Sequence, residues 1–473
     1  MDVNRWIEER ESLFTSLSDQ VWDFAELGYK EVKSAKLLTD ILEKEGFSVD
    51  SGIGKIPTAF SATYGKGKPV IAVLGEFDAL PGLSQDIVPE RKPIEDGGSG
   101  HGCGHNLLGV GALAAAMAVK GAIDDGEVKG TIRYYGCPAE ENGSGKAFMV
   151  KAGVFDDVDL TLTWHPGMLN GSISMNMLSN IKVRFKFHGR ASHAAADPQN
   201  GRSALDAVEL MNVGVNYLRE HIISEARIHY VIINGGGIAP NVVPPYAESL
   251  YIIRAPKPGE LKPIFERVQD VARGAVLMTG TELEFSVISG ASNLVFNDTI
   301  VDVFQGVMDS VTPPAFSDDE RAFAHGLSKS FPEGGGLMGG FAKMMGPDAN
   351  RILAEMKEAL LYDKVLPAVK SDVALPGSTD VGDVSWVTPT GQIMTTCYAF
   401  GTPGHSWQLV AQSGMSIGHK GMLYAGKVIA TTALEFMKNP TLLKKAQNEF
   451  RSRLEEIPFT PLIPEGVKPP LDI

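Results

Sequence analysis

The chain has 473 residues, 44% apolar and 21% charged, with a formal net charge of -14 at pH 7. This is globular composition with room for two or three domains, and the acidic balance argues against nucleic acid or an anionic membrane as a partner. Three cysteines, Cys103, Cys137 and Cys397, cannot build a disulfide framework and suit a reducing compartment where a thiolate can serve as a ligand. The apolar run Ala112 to Val119 is too short to span a membrane and the first residues lack a signal-peptide profile, so a cytoplasmic protein is expected.

Val32 to Leu42 carries apolar residues at helical spacing and stops at Gly46, whereas Thr58 to Tyr64 and Val70 to Leu74 read as strands. Ala112 to Ala122 reads as a buried helix. Thr131 to Tyr135 and Leu160 to Trp164 are further strands, each running into a polar, metal-capable cluster, as in an open α/β sheet with a site at its carboxyl ends. From Ile181 the pattern becomes strand, helix, strand, strand, helix, strand: Ile181 to Phe187, Ser203 to Leu218, Ile228 to Ile233, Glu248 to Arg254, Leu261 to Val276 and Glu282 to Val287. That is a compact α+β unit. The expected organisation is an α/β catalytic domain from residues 1–179 and 292–473, interrupted by an inserted α+β domain at 180–291. Ile300 to Val311 reads as a helix, the Gly/Pro-rich Thr312 to Gly346 shows little ordered pattern, and Met394 to Phe400 and Ile417 to Met437 read as a strand and a long helix.

The chemistry gathers around Gly100-His101-Gly102-Cys103-Gly104-His105-Asn106, where glycines let the backbone turn three metal-capable side chains toward one point. Alone, a Cys-x-His pair in a glycine turn reads as structure. Further ligand atoms are offered by Glu140-Glu141 after one strand, by His165 before Pro166-Gly167 at the end of another, and by His405 in Gly401-Thr402-Pro403-Gly404-His405. Thiolate, carboxylate and imidazoles together suit Zn, Mn, Co or Fe, and five protein ligands exceed the needs of one tetrahedral ion, so two metals are expected. Of two adjacent glutamates, one can bind metal while the other acts as general base.

The ordered set Gly-Cys-Gly-His, Pro-x-Glu-Glu, strand-Trp-His-Pro, Gly-x-x-Ser-His-Ala and Gly-Thr-Pro-x-His resembles the dinuclear metal amidohydrolases related to aminoacylase, carboxypeptidase G and indole-acetyl-amino-acid hydrolases. The phrases Gly100 to Gly109, Thr379 to Trp386 and Thr402 to His405 are most similar to the members that act on p-aminobenzoyl-glutamate. The resemblance implies a central mixed, largely parallel sheet flanked by helices, with the inserted domain serving dimerisation. It implies Cys103, His105, Glu141, His165 and His405 as ligands of two divalent ions, Mn2+ or Zn2+, with Glu140 as base. His193, in Gly189-Arg190-Ala191-Ser192-His193, is implied as an oxyanion donor across a dimer interface. Asn241 and Arg254 match positions that hold polar groups of substrate, and Arg254 would supply the local cation that an acidic protein needs for a carboxylate.

One departure stands out. Where many relatives carry a metal-binding His-x-Asp, this chain has Glu76-Phe77-Asp78, which implies that Asp78, like Asp383, orients a ligand, and that His101 is not a ligand. The implied partners are a small acyl-amino acid and either a second copy or a homologous subunit. Two other classes fit less well. Gly109-x-Gly111-x-x-Ala114 formally matches a dinucleotide loop but lies inside a helix pattern with no strand leading into it. A non-catalytic subunit on the same fold has no chemical need for the intact ligand set and Glu140.

Overall fold

A computed structural model describes residues 1–332, 346–454 and 459–472. The strands are β1 (Ser48–Ser51), β2 (Phe60–Lys66), β3 (Val70–Glu76), β4 (Gly130–Cys137), β5 (Leu160–Gly167), β6 (Gly171–Met177), β7 (Ser179–His188), β8 (Arg227–Asn234), β9 (Tyr246–Ala255), β10 (Glu282–Ala291), β11 (Val369–Leu375) and β12 (Thr390–Thr396). They form an eight-stranded sheet in the order β1-β2-β4-β3-β5-β12-β6-β11 and a four-stranded sheet in the order β10-β7-β9-β8.

In the large sheet, β4, β3, β5 and β12 run parallel, while β1, β2 and the β12–β6 pair add antiparallel strands. A parallel centre must be covered on both faces, and β3 accordingly reads as an unbroken apolar run, buried from Val70 to Glu76. Ile71 and Val73 point into one core with the helices His105–Asp124 and Ser416–Lys438, whereas Ala72 and Leu74 meet Phe148 and Met149 on the other face. Helix His105–Asp124 is the one described helix long and apolar enough to cross a membrane, and it is packed in the core against Ser416–Lys438.

The four-stranded sheet is antiparallel throughout. Ile181, Val183, Phe185 and Phe187 of β7 alternate into a separate core under the helices Ala204–Leu218 and Pro258–Thr279. Their neighbours Lys182, Arg184 and Lys186 occupy the opposite face, which is polar.

Several elements depart from the sequence reading. The helix expected at Ala112 begins at His105, because Gly104 takes a left-handed φ of 79° and turns the chain directly into it. β5 continues past Trp164 through Pro166 and Gly167. β3 pairs with β5 only near Leu160–Leu162, so the missing Pro166 N–H breaks no bond to that neighbour. β12 lies at Thr390–Thr396, four residues ahead of the expected start, in register with β5 from Thr161 to Gly167. Within Thr312–Gly346, a helix forms at Asp318–Ser328, started by a capping box in which the Ser317 hydroxyl accepts from the Glu320 N–H. Residues 333–345 of that stretch lie outside the described residues.

Candidate active site

The parallel strands β3, β4, β5 and β12 end on the same edge of the sheet, and the chemistry-bearing side chains follow those ends. β3 delivers Glu76 and then Asp78; the loop after it returns through Cys103 to His105 at the start of its helix; β4 leads to Glu140 and Glu141; β5 carries His165. His405 arrives from the loop after β12 with a left-handed φ of 52°, its backbone N–H bonded to the Gly102 carbonyl at 3.1 Å.

Two triads of ligand atoms share Cys103, namely Cys103, His105 and His165, and Cys103, Glu141 and His405; a further group joins Glu76, His105 and Glu140, and the atoms within each lie no more than 4.8 Å apart. Cys103 Sγ is 3.5 Å from His165 Nε2, and His405 Nε2 is 3.3 Å from Glu141 Oε2. The imidazoles are oriented from behind. His105 Nδ1 donates to Asp78 Oδ1 at 2.8 Å and His165 Nδ1 donates to the Pro166 carbonyl at 2.8 Å, which turns each Nε2 into the cluster, His105 Nε2 lying 3.2 Å from Glu76 Oε2. The other oxygen of Asp78 accepts the Glu141 N–H at 3.0 Å.

The turn bearing Glu140 and Glu141 is held in a strained form. Ala139 adopts φ 57°, and its N–H donates to Glu31 Oε1 at 2.8 Å. Tyr29 Oη donates to the Gly143 carbonyl at 2.8 Å, and Lys182 Nζ donates to the Asn142 carbonyl at 2.9 Å. A Cβ on Gly28 would come within 3.1 Å of Ala139.

Whether this donor set fits metal can be judged from its own electrostatics. Five carboxylates, Glu76, Asp78, Glu140, Glu141 and Asp380, converge, and the fully buried Lys146 is paired with Glu76 Oε1 at 2.7 Å and Asp380 Oδ1 at 2.5 Å. Burial, followed by the charges of Glu76, Glu141 and Asp380, pushes the Glu140 carboxyl well above the usual range. Burial and then Glu141 push the Cys103 thiol up to about 12. His105 Nε2 and Glu141 Oε1 are buried without a hydrogen-bond partner. Unpartnered ligand atoms amid excess negative charge are what a cation-binding site presents, and the mixture of thiolate, imidazole and carboxylate fits a transition or zinc ion.

Other expected residues fall in three places. Arg254 lines the same cleft, a cavity of about 360 Å³ between the two sheets. His193 and Asn241 are exposed on the four-stranded unit and lie outside that cleft, joined to one another where the Ala194 N–H meets the Asn241 carbonyl at 2.9 Å. The Ala195 and Ala196 N–H groups both donate to His193 Nδ1, so its proton sits on the outward Nε2. Asp383, expected to orient a ligand, instead accepts from the Ser292 N–H at 2.9 Å and the Ser292 hydroxyl at 3.1 Å. Asp380, one helical turn earlier, is the residue that reaches the cluster. His101 is buried with Nε2 on the Val21 carbonyl at 3.0 Å and belongs to neither triad.

No motif marks Glu31, Lys146 or Lys182 as functional. The signal for Lys146 is its place in Gly145-Lys146-Ala147-Phe148-Met149-Val150, an apolar helix in which a lysine needs a buried partner. A second cleft of about 400 Å³, bordered by Lys257, Asn293, Trp386 and Arg453, holds no such cluster among the described residues.

The chain matches the model of peptidase family M20/M25/M40 over residues 72–348. It is 44% identical to one of the subunits of the p-aminobenzoyl-glutamate hydrolase of Escherichia coli (strain K12), covering 98% of this chain and 97% of that protein. It is 29% identical to a mouse Xaa-Arg dipeptidase over 95% of this chain and 91% of that one. Its fold is that of a Bacillus subtilis dinuclear metal-binding peptidase from the M20 family, with a TM-score of 0.58, 18% identity, and coverage of 91% of this chain and 99% of that one. The chain therefore belongs to peptidase family M20/M25/M40 and is a metal-dependent amidohydrolase of that family.

Proposed function

We propose that the chain hydrolyses the amide bond of an N-acyl or N-aroyl amino acid, with p-aminobenzoyl-glutamate as the leading substrate. Two divalent ions, Mn2+ or Zn2+, are held by Cys103, His105, Glu141, His165 and His405. The observation that carries this reading is the convergence of those ligand atoms from four strand ends, with Glu141 Oε1 buried without a hydrogen-bond partner. When bound, the ions supply Lewis-acid polarisation of a carbonyl and acidify water.

The chain's own groups do the rest. Glu140 accepts the proton of the attacking water and returns it to the leaving nitrogen. Asp78 fixes His105 and the Glu141 backbone together, so that a shift in one ligand is felt by the other. Arg254 binds a carboxylate of the substrate.

In this reading residues 1–179 and 292–473 form the catalytic domain and 180–291 the dimerisation domain. Val231, Ile232 and Ile233 are exposed along the edge strand β8, a surface suited to pairing with a second copy or a homologous subunit. A second copy would bring its own His193 and Asn241 to this cleft, the outward Nε2–H of His193 donating to the developing oxyanion. Glu140→Gln tests the base assignment: turnover of p-aminobenzoyl-glutamate should fall about 10²- to 10⁴-fold with bound metal unchanged. Undiminished turnover rules the assignment out.

A further inference from the structure

On the four-stranded sheet, the face that alternates away from its core presents three cations on β7, one at the end of β9 and, opposite that one and outside the catalytic cleft, Arg227 of β8, which donates to the Ser224 and Ala226 carbonyls. Two have carboxylate partners: Arg184 pairs with Glu248 at 2.9 Å and Lys186 with Glu284 at 2.9 Å. Lys182 and Arg254 do not, among the described residues. Lys182 Nζ donates to the Asn142 carbonyl, and Arg254 donates to the Pro376 carbonyl and the Ser378 hydroxyl, both at 3.3 Å. All these acceptors are neutral, so neither positive charge is compensated.

Both residues line the catalytic cleft. β7 and β9 are antiparallel with Lys182 opposite Ile252 and Asn180 opposite Arg254, which places Lys182 and Arg254 on one face as diagonal neighbours. Such pairs lie about 7–8 Å apart at the backbone, within joint reach of long side chains. Like charges that close, half removed from water, repel: burial and then Arg254 hold the Lys182 ammonium below its ordinary range. A cleft that keeps two uncompensated cations side by side is built for an anion with two charges.

We propose that Lys182 and Arg254 form a two-cation subsite for a dicarboxylic amino acid of the glutamate class, with Lys182 the residue that selects the acidic side chain. The proposal rests on the acyl-amino acid reading above. The planar guanidinium of Arg254 matches bidentately the α-carboxylate that every such substrate carries, and the flexible stem of Lys182 follows a flexible side-chain carboxylate. Met168, Met177 and Met394 line the same cleft and offer an adaptable apolar surface to the acyl group. A substrate with a cationic side chain would meet Lys182 as a repulsive element.

The test compares p-aminobenzoyl-glutamate with its neutral isostere p-aminobenzoyl-glutamine, by calorimetric binding to metal-loaded Glu140→Gln protein and by turnover with the wild type. Glutamate should bind about 10- to 100-fold more tightly than glutamine, the worth of a charge-assisted hydrogen bond. Adding Lys182→Met should erase that ratio while leaving the affinity for the glutamine compound unchanged. Equal binding of the two compounds overturns the proposal, as does a Lys182→Met variant that weakens both alike, which would mean that Lys182 only clamps Asn142. If the ratio is present and Lys182-dependent while the wild type hydrolyses neither compound, the subsite stands and the hydrolytic reading fails.

Discussion

The cluster at the strand ends and the loop carrying His193 and Asn241 are built on opposite principles. Most ligand atoms of the cluster have a local cause within this chain: Gly104 turns His105 inward, Asp78 and the Pro166 carbonyl orient two imidazoles, Glu31 pins the Glu140–Glu141 turn, and the Gly102 carbonyl accepts from the His405 N–H. The His193 loop is equally well ordered by its own hydrogen bonds, yet it presents His193 to solvent, away from the cleft. In the reading proposed above, one region is complete in a single chain and the other serves the cleft of a partner. The difference separates what a monomer should retain, metal, from what it should lose, turnover.

The sharpest way to break that comparison is His193→Ala. It should lower turnover about 10²- to 10³-fold, the worth of one oxyanion donor, with metal content untouched. If the unit is a homodimer, mixing His193→Ala with Glu140→Gln protein should restore about a quarter of wild-type activity, because each mixed dimer has one site with both residues intact. Parent-level activity in a mixture shown to exchange subunits would place His193 and Glu140 in the same chain's site.

Asp78→Asn bears on the other side of the comparison. It should weaken metal binding about 10- to 100-fold, read by competition with a chelator, since Asp78 orients two ligands at once. Unchanged affinity would mean that the two ligand orientations are set by packing alone. Glu31→Ala is smaller: it leaves the Ala139 N–H buried without an acceptor, at a cost of about 1–3 kcal/mol by denaturant unfolding, with turnover reduced and metal retained. A variant as stable as the wild type would show that the turn does not depend on this bond.

The smallest effect concerns Asp383, which reaches neither triad. Burial pushes its carboxyl up from 3.8 to about 7. A raised acid stabilises the fold fully below its unfolded value, and that contribution is lost as pH rises through the folded one. Stability should therefore decline between about pH 4 and pH 8, and Asp383→Asn should flatten the decline in thermal melts. An identical slope in the variant would assign the decline to other groups.

The parts of this architecture that were legible in the sequence are those with a local signature. The strands β3, β4 and β5 each run into a glycine or proline phrase beside a ligand, and the alternation in β7 announced a sheet with one buried face. Less legible were the residues whose meaning depends on distant partners. β6 and β11 pair with one another across nearly 200 residues of intervening chain, and β11 opens on Val369-Lys370-Ser371 rather than on an apolar stripe. Asp380 and Asp383 lie three residues apart in one short motif, and only packing against Lys146 on one side and Ser292 on the other separates their roles. Lys182 is indistinguishable along β7 from Arg184 and Lys186 until Glu248 and Glu284 are seen to neutralise those two and leave it alone.

The most direct test of a two-ion centre is the metal content of the protein. After reconstitution with manganese or zinc and removal of free ion, elemental analysis should find about two equivalents per chain in the wild type, and fewer in Cys103→Ala, which removes the atom common to both triads. A wild type that saturates at one equivalent, or a Cys103→Ala variant that still holds two, would contradict the claim that these strand ends build a two-ion centre with Cys103 among its ligands.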